Sequence, residues 1–178
     1  MPRHIVLVGL PGSGKSTVGK LVADALNTFV IDIDDLLVRE MGMPVAQIFG
    51  MVGESKFRDM ERDAVITAQA REPCVIVPGG GWAAQPGQLD AVRQSSLVIY
   101  LRCHAGTALK RSQQSEARPL LAGVDPDQRI RALLGEREPF YLQADHQVNT
   151  ENVPAEAVAA EVMTLARQHA GWFARSAP

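Results

Sequence analysis

Ile5-Val6-Leu7-Val8-Gly9-Leu10-Pro11-Gly12-Ser13-Gly14-Lys15-Ser16-Thr17 joins an apolar run to a glycine-rich turn that fits G-x-x-x-x-G-K-[ST]. The apolar run reads as a buried strand. Behind the turn, Val18, Leu21, Val22, Ala25 and Leu26 fall at helical spacing. Strand, tight glycine turn and helix in that order make a phosphate-binding loop. The glycines let successive backbone N–H groups converge on one anion, and the helix N-terminus adds the positive end of its dipole. Lys15 then reaches the β- and γ-phosphates of a nucleoside triphosphate, and the Ser16 hydroxyl ligates Mg²⁺. A plain turn with a solvated lysine has no need of this context. The loop implies a nucleotide and metal site and leaves open where the γ-phosphate goes.

Outward from the loop, apolar runs and helical patterns alternate along the chain. Short runs at Ile5–Val8, Phe29–Ile31, Val75–Val77, Leu97–Leu101 and, more weakly, Gln147–Val148 read as strands. Helical patterns cover 16–26, 34–41, 45–52, 54–71, 87–94, 105–113, 126–142 and 155–169. Such alternation with short connections predicts an α/β domain with a mainly parallel sheet, whose ligands collect at the carboxyl ends of the strands. At 178 residues with a 46% hydrophobic fraction, one packed domain is expected, placed over 1–170 with a tail at 171–178. A net charge of −2 supplies no basic field for a nucleic-acid partner. No apolar stretch approaches a membrane span, and the opening residues are too short and wrongly flanked for a signal peptide. Cys74 and Cys103 lie in or beside apolar runs without C-x-x-C pairing, as small buried side chains of a reducing, cytoplasmic compartment do.

Each of the first three strands is followed by unusual chemistry. After the second comes Asp32-Ile33-Asp34-Asp35, carboxylates crowded where a helix begins. One of them can cap that helix. A second, beside a triphosphate, can hold metal-bound water or accept the proton of an attacking hydroxyl. After the third comes Pro78-Gly79-Gly80-Gly81, more glycine than a turn needs, which predicts close backbone approach to a ligand. Arginines complete the set. Arg58 has Glu54 and Glu61 one helical turn away on either side, Arg118 leads Pro119-Leu120-Leu121, and Arg137 precedes a proline that should disturb its helix. A kinase needs such cations on the transferring phosphoryl and on an anionic acceptor.

The ordered set Gly12–Thr17, Asp32-x-Asp34, Gly42-Met43-Pro44 with Ile48-Phe49, Gly53-Glu54 with Phe57-Arg58-x-x-Glu61, Gly79–Gly81, Arg118–Leu121 and Arg137-x-Pro139-x-Tyr141 resembles the shikimate kinases. The likeness runs from about residue 5 to 165 and implies the nucleoside monophosphate kinase fold. That is a three-layer domain with a five-stranded parallel sheet in the order 2-3-1-4-5, helices on both faces, a substrate-binding region at about 33–61 and a lid at about 112–124. It implies ATP-dependent phosphorylation of the shikimate 3-hydroxyl, on the route to chorismate and the aromatic amino acids, by a monomer. By the same resemblance Asp34 binds the ring hydroxyls and is the base, and Lys15 and Arg118 are catalytic. Asp32 holds Mg²⁺ through water and Ser16 holds it directly. Arg58 and Arg137 grip the shikimate carboxylate, Glu61 orients Arg58, Gly79, Gly80 and Gly81 line the acceptor site with Gly80 offering its N–H, and Phe49 and Phe57 form the wall under the ring. Gly12, Ser13, Gly14, Lys15, Ser16 and Thr17 hold the phosphates, and Arg111 and Pro154 sandwich the adenine.

Departures from the family pattern touch none of these groups. The loop reads Gly-Leu-Pro-Gly-Ser where Gly-Phe-Met-Gly-Ala or -Ser is more usual, Pro78 takes the place of a small or hydroxyl residue, and the segment 112–117 lacks a lysine that some relatives carry. A GTPase would need an Asn-Lys-x-Asp run, which does not occur. A non-catalytic ATP-binding module would not need Asp34, Arg58 and Arg137 together. The nearest rival is a gluconate kinase, whose substrate is also a hydroxylated carboxylate.

Overall fold

The computed structural model describes residues 1–114 and 125–173. Five strands, β1 (His4–Val8), β2 (Val30–Asp32), β3 (Val75–Val77), β4 (Ser96–Arg102) and β5 (His146–Asn149), form one sheet in the order β2-β3-β1-β4-β5. Every pairing is parallel. Central β1 is buried on both faces, as an apolar run in a parallel sheet should be. Its side chains alternate: Ile5 and Leu7 enter one core, Val6 and Val8 the other.

Two helices cover the first face. α1 (Lys15–Ala25) and α8 (Ala155–His169) place Val18, Val22, Val158 and Val162 against Ile5, Leu7 and Ile99. The second face carries α2 (Ile33–Met41), α3 (Val45–Val52), α4 (Glu54–Gln69), α5 (Gln88–Arg93), α6 (Ala105–Gln114) and α7 (Pro126–Tyr141). There Leu37, Ile48, Phe57, Leu89, Ile130 and Tyr141 close over Val6, Val8 and Tyr100. Each such aliphatic or aromatic side chain taken fully from water contributes about 1.5–3 kcal/mol.

Strand and helix positions follow the sequence pattern closely. One expectation fails: α7 runs through Pro139 to Tyr141 rather than being disturbed there. Pro139 forgoes the helix bond its own N–H would donate, but the next turn still closes, with the Leu142 N–H on the Glu138 carbonyl at 2.9 Å, and the fully buried Tyr141 packs that end of the helix in the core. The start of the C-terminal tail is docked. Trp172 donates its indole N–H to the Arg3 carbonyl at 2.8 Å and packs on the first core, while Phe173 is exposed.

Candidate active site

The phosphate loop leaves β1 and enters α1 at Lys15, with Gly12 and Gly14 at φ 84° and 94°, a conformation that costs a side-chain-bearing residue dearly. A side chain at Gly12 would also strike the Ala108 carbonyl of α6. Lys15 is 5% exposed and curls along the loop, donating to the carbonyls of Gly9 and Leu10 at 2.9 and 2.8 Å. Gly12, Ser13, Gly14, Lys15, Ser16 and Thr17 line a cavity of about 490 Å³ whose far wall is Arg111, Thr150, Val153, Ala155 and Val158. Arg111 is held there by the Thr150 carbonyl at 2.8 Å and the Thr150 hydroxyl at 3.2 Å. Pro154 itself is exposed at the head of α8, and its neighbours Val153 and Ala155 face the cavity.

Asp32 ends β2 and does two jobs. Its Oδ1 caps α2, accepting the N–H of Asp34 at 3.1 Å and of Asp35 at 3.4 Å. Its Oδ2 accepts the Ser16 hydroxyl at 2.5 Å, so the loop serine and the β2 carboxylate converge on one point beside the phosphate loop. Capping by Asp32 leaves Asp34, half-buried in the first turn of α2, turned to a second cavity.

That second cavity, of about 190 Å³, gathers Asp34, Phe49, Phe57, Arg58, Glu61, Gly79, Gly80, Gly81 and Arg137. Phe49 and Phe57 meet at 5.4 Å between ring centroids, and the Arg58 guanidinium lies 5.7 Å above the Phe57 ring. Glu61, 1% exposed, accepts from Arg58 at 2.6 Å and so fixes its direction, while Glu54 reaches it only at 3.5 Å. Arg137, 7% exposed on α7, keeps its Nη1 buried with no hydrogen-bond partner. Gly79, Gly80 and Gly81 line this cavity, and packing also requires them to be bare. A β-carbon at Gly79 would collide with Glu61, one at Gly81 with the Arg58 guanidinium, and one at Gly80 with Pro11. Their bareness lets the charged pair and the phosphate loop press against this turn.

Pro11, Val38 and Val45 also line the second cavity without having stood out in the sequence, and so does Asp35, one of the crowded carboxylates to which no role fell. Pro11 lies inside the quoted motif, and its place between the two cavities is the signal that could have found it. Thr150, Val153, Ala155 and Val158 of the donor cavity did not stand out either, although the chain just past the last strand is where such a sheet collects ligands. Arg118 and most of the lid at 112–124 lie outside the described residues.

Burial pushes the Glu61 carboxyl up to about 6 from its ordinary 4.5; Arg58 opposes the rise and the Asp34 charge adds to it. The folded chain therefore holds this proton more tightly than the unfolded chain. Stability from this group is full below pH 4.5 and is lost as pH rises through about 6, a change of about 2 kcal/mol. Glu61→Gln removes that slope. Urea unfolding from pH 4.5 to 7 should show the variant gaining on the wild type by about this amount, and parallel profiles would reject a raised Glu61.

A phosphate loop feeding one cavity, beside a second that holds a carboxylate and two arginines, defines a P-loop kinase acting on a small anionic acceptor. The comparisons narrow this class. Residues 11–167 match the family model for shikimate kinase, and the chain belongs to that family. It is 42% identical over 161 residues to the shikimate kinase of Caldanaerobacter subterraneus subsp. tengcongensis, covering 90% of this chain and 94% of that one. It is 41% identical over 144 residues to that of Mycobacterium avium, covering 81% of each. The structure of the Acinetobacter baumannii shikimate kinase in complex with shikimate superimposes with a TM-score of 0.89 at 31% identity, over 94% of each chain. A gluconokinase of Sinorhizobium meliloti shares the fold alone, at 20% identity and a TM-score of 0.65, covering 96% of this chain and 94% of that one.

Proposed function

We propose that this chain transfers the γ-phosphoryl group of ATP to the 3-hydroxyl of shikimate, giving shikimate 3-phosphate and ADP. The observation that carries the reading is the acceptor cavity. Asp34, Arg58 and the buried, unpartnered Arg137 Nη1 share one small space with Pro11 of the phosphate loop. Two guanidinium groups suit a carboxylate, the phenylalanines suit a carbon ring, and Asp34 suits a hydroxyl that must lose its proton.

In this reading Asp34 accepts the proton of the 3-hydroxyl as its oxygen attacks the γ-phosphorus and the bond to the ADP oxygen breaks. Lys15 and the loop N–H groups balance charge on the phosphates. Arg118 is assigned to the same charge on the transferring phosphoryl group. Arg58 and Arg137 hold the shikimate carboxylate, with the Gly80 N–H beside them. Arg111 and Pro154 flank the adenine.

The oxygen donors Ser16 and Asp32, 2.5 Å apart at the phosphate loop, fit Mg²⁺, which binds through one or two protein groups plus phosphate oxygens. When bound, Mg²⁺ neutralises charge on the β- and γ-phosphates. We assign the enzyme to the cytoplasm as a monomer. Both cysteines are free and buried, and the exposed large apolar side chains among the described residues come from separate elements.

The test is ADP release in a coupled assay with ATP and, in turn, shikimate, gluconate and nucleoside monophosphates. Turnover with shikimate alone is expected. Turnover with gluconate but not shikimate would overturn the reading.

A further inference from the structure

Tyr141 takes no part in the roles above, yet it is fully buried in the last turn of α7, one turn after Arg137. Its hydroxyl donates to the Gly80 carbonyl at 2.5 Å, across 61 residues of sequence. Its ring packs tilted against Tyr100, with centroids 5.1 Å apart and planes at 37°, which restricts where that hydroxyl points. Tyr141 does not line the acceptor cavity, whereas Gly80, Gly81 and Arg137 do. The hydroxyl therefore meets the glycine turn from behind.

In a trans peptide the carbonyl and the following N–H point in opposite directions, and no cis bond occurs among the described residues. Anchoring the Gly80 carbonyl on Tyr141 sends the Gly81 N–H the other way and sets the plane of that peptide. Glycines have the widest conformational range, so a turn of three holds one geometry only if something outside it imposes one. Two other contacts pin it. The Trp82 N–H bonds the Gly79 carbonyl at 3.1 Å, and Gln85 reaches the Gly81 carbonyl at 3.3 Å. Among the described residues Tyr141 holds the middle glycine, and Gly80 packs on Pro11 of the phosphate loop, whose Cδ lies 2.9 Å from where a Gly80 β-carbon would stand.

We infer that Tyr141 is a positioning residue for the acceptor: its hydroxyl, bonded to the Gly80 carbonyl and to the Arg137 side chain, orients the glycine turn and the guanidinium that, with Arg58, receive the acid group of the substrate. The inference rests on the shikimate reading above. Its hydroxyl is expected to act on acceptor binding, remote from the reacting oxygen, so its loss should raise KM rather than lower kcat.

The experiment compares wild type, Tyr141→Phe and Tyr100→Phe in steady-state assays with shikimate and ATP varied separately, alongside the melting temperature of each. Both substitutions keep the ring and its packing. Tyr100→Phe removes a hydroxyl whose bond goes to Glu138 instead, at 3.4 Å. Tyr141→Phe is expected to raise the shikimate KM roughly three- to tenfold, with kcat and the ATP KM within about twofold of wild type. Tyr100→Phe should leave the shikimate KM unchanged. An unchanged shikimate KM in Tyr141→Phe overturns the inference, as does an equal rise in both KM values or the same rise in Tyr100→Phe, either of which marks a general loss of packing. Failure of the wild type to phosphorylate shikimate would instead remove the functional reading itself.

Discussion

Asp34→Asn should lower kcat with saturating ATP and shikimate by at least about 10²-fold, the usual cost of removing a positioned general base. Asparagine keeps the shape of the side chain and one hydrogen-bond acceptor. The change removes proton acceptance, and with it the negative charge that adds to the burial-driven rise of the neighbouring Glu61 carboxyl. Asp32, not Asp34, caps α2 and meets Ser16, so neither the helix start nor the proposed metal donors depend on the substituted group. The KM values and the melting temperature should accordingly stay near wild type. Quench-flow measurement of the first turnover would place the loss in phosphoryl transfer rather than product release. A first turnover within a few-fold of wild type would show that the proton leaves by another route, and Asp34 would then be only a hydroxyl-binding group.

Arg137→Ala should raise the shikimate KM about 30-fold or more while leaving the ATP KM within about twofold. The size follows from the setting: a charge-assisted hydrogen bond in a largely water-free site is worth several kcal/mol when one partner is removed. Arg58 is the weaker case: its Nε, like the Nη1 of Arg137, is buried without a hydrogen-bond partner, but Glu61 already accepts from its Nη1 at 2.6 Å and offsets part of its charge. Arg137 forms no ion pair among the described residues, whereas Arg58 is paired with Glu61 and Glu54, so an acceptor carboxylate has most to gain at Arg137. Fluorescence titration of shikimate, with Trp82 and Trp172 as reporters, would check binding apart from turnover. Unchanged affinity would confine Arg137 to packing beneath the glycine turn.

Much of the fold and the site is legible in the order of residues alone. The strands at 5–8 and 75–77 and the helices at 45–52 and 155–169 follow from local rules of periodicity, which act over a few residues, whereas which of the crowded aspartates caps α2 is decided by the fold. The acceptor residues Asp34, Phe49, Phe57, Arg58, Glu61, Gly79, Gly80, Gly81 and Arg137 all stand out in the sequence, and they do share one cavity. The tolerance of α7 for Pro139 is not legible there, because what holds the last turn is core packing of Tyr141 rather than local propensity. Nor is the part played by Tyr141, since nothing near it in sequence names Gly80 as its partner.

The amino-acid sequence by itself determined the phosphate loop, the alternation that builds a parallel sheet and the set of charged residues at strand ends, because each is written in neighbouring residues. Only the tertiary structure decided how these groups combine. The order β2-β3-β1 brings the ends of three strands distant in sequence side by side, so that Asp34, the glycine turn and the phosphate loop meet. It also decided that the glycines make room for Glu61, Pro11 and Arg58. A glycine's missing β-carbon is visible in the sequence, but what occupies the space is set by packing across the fold.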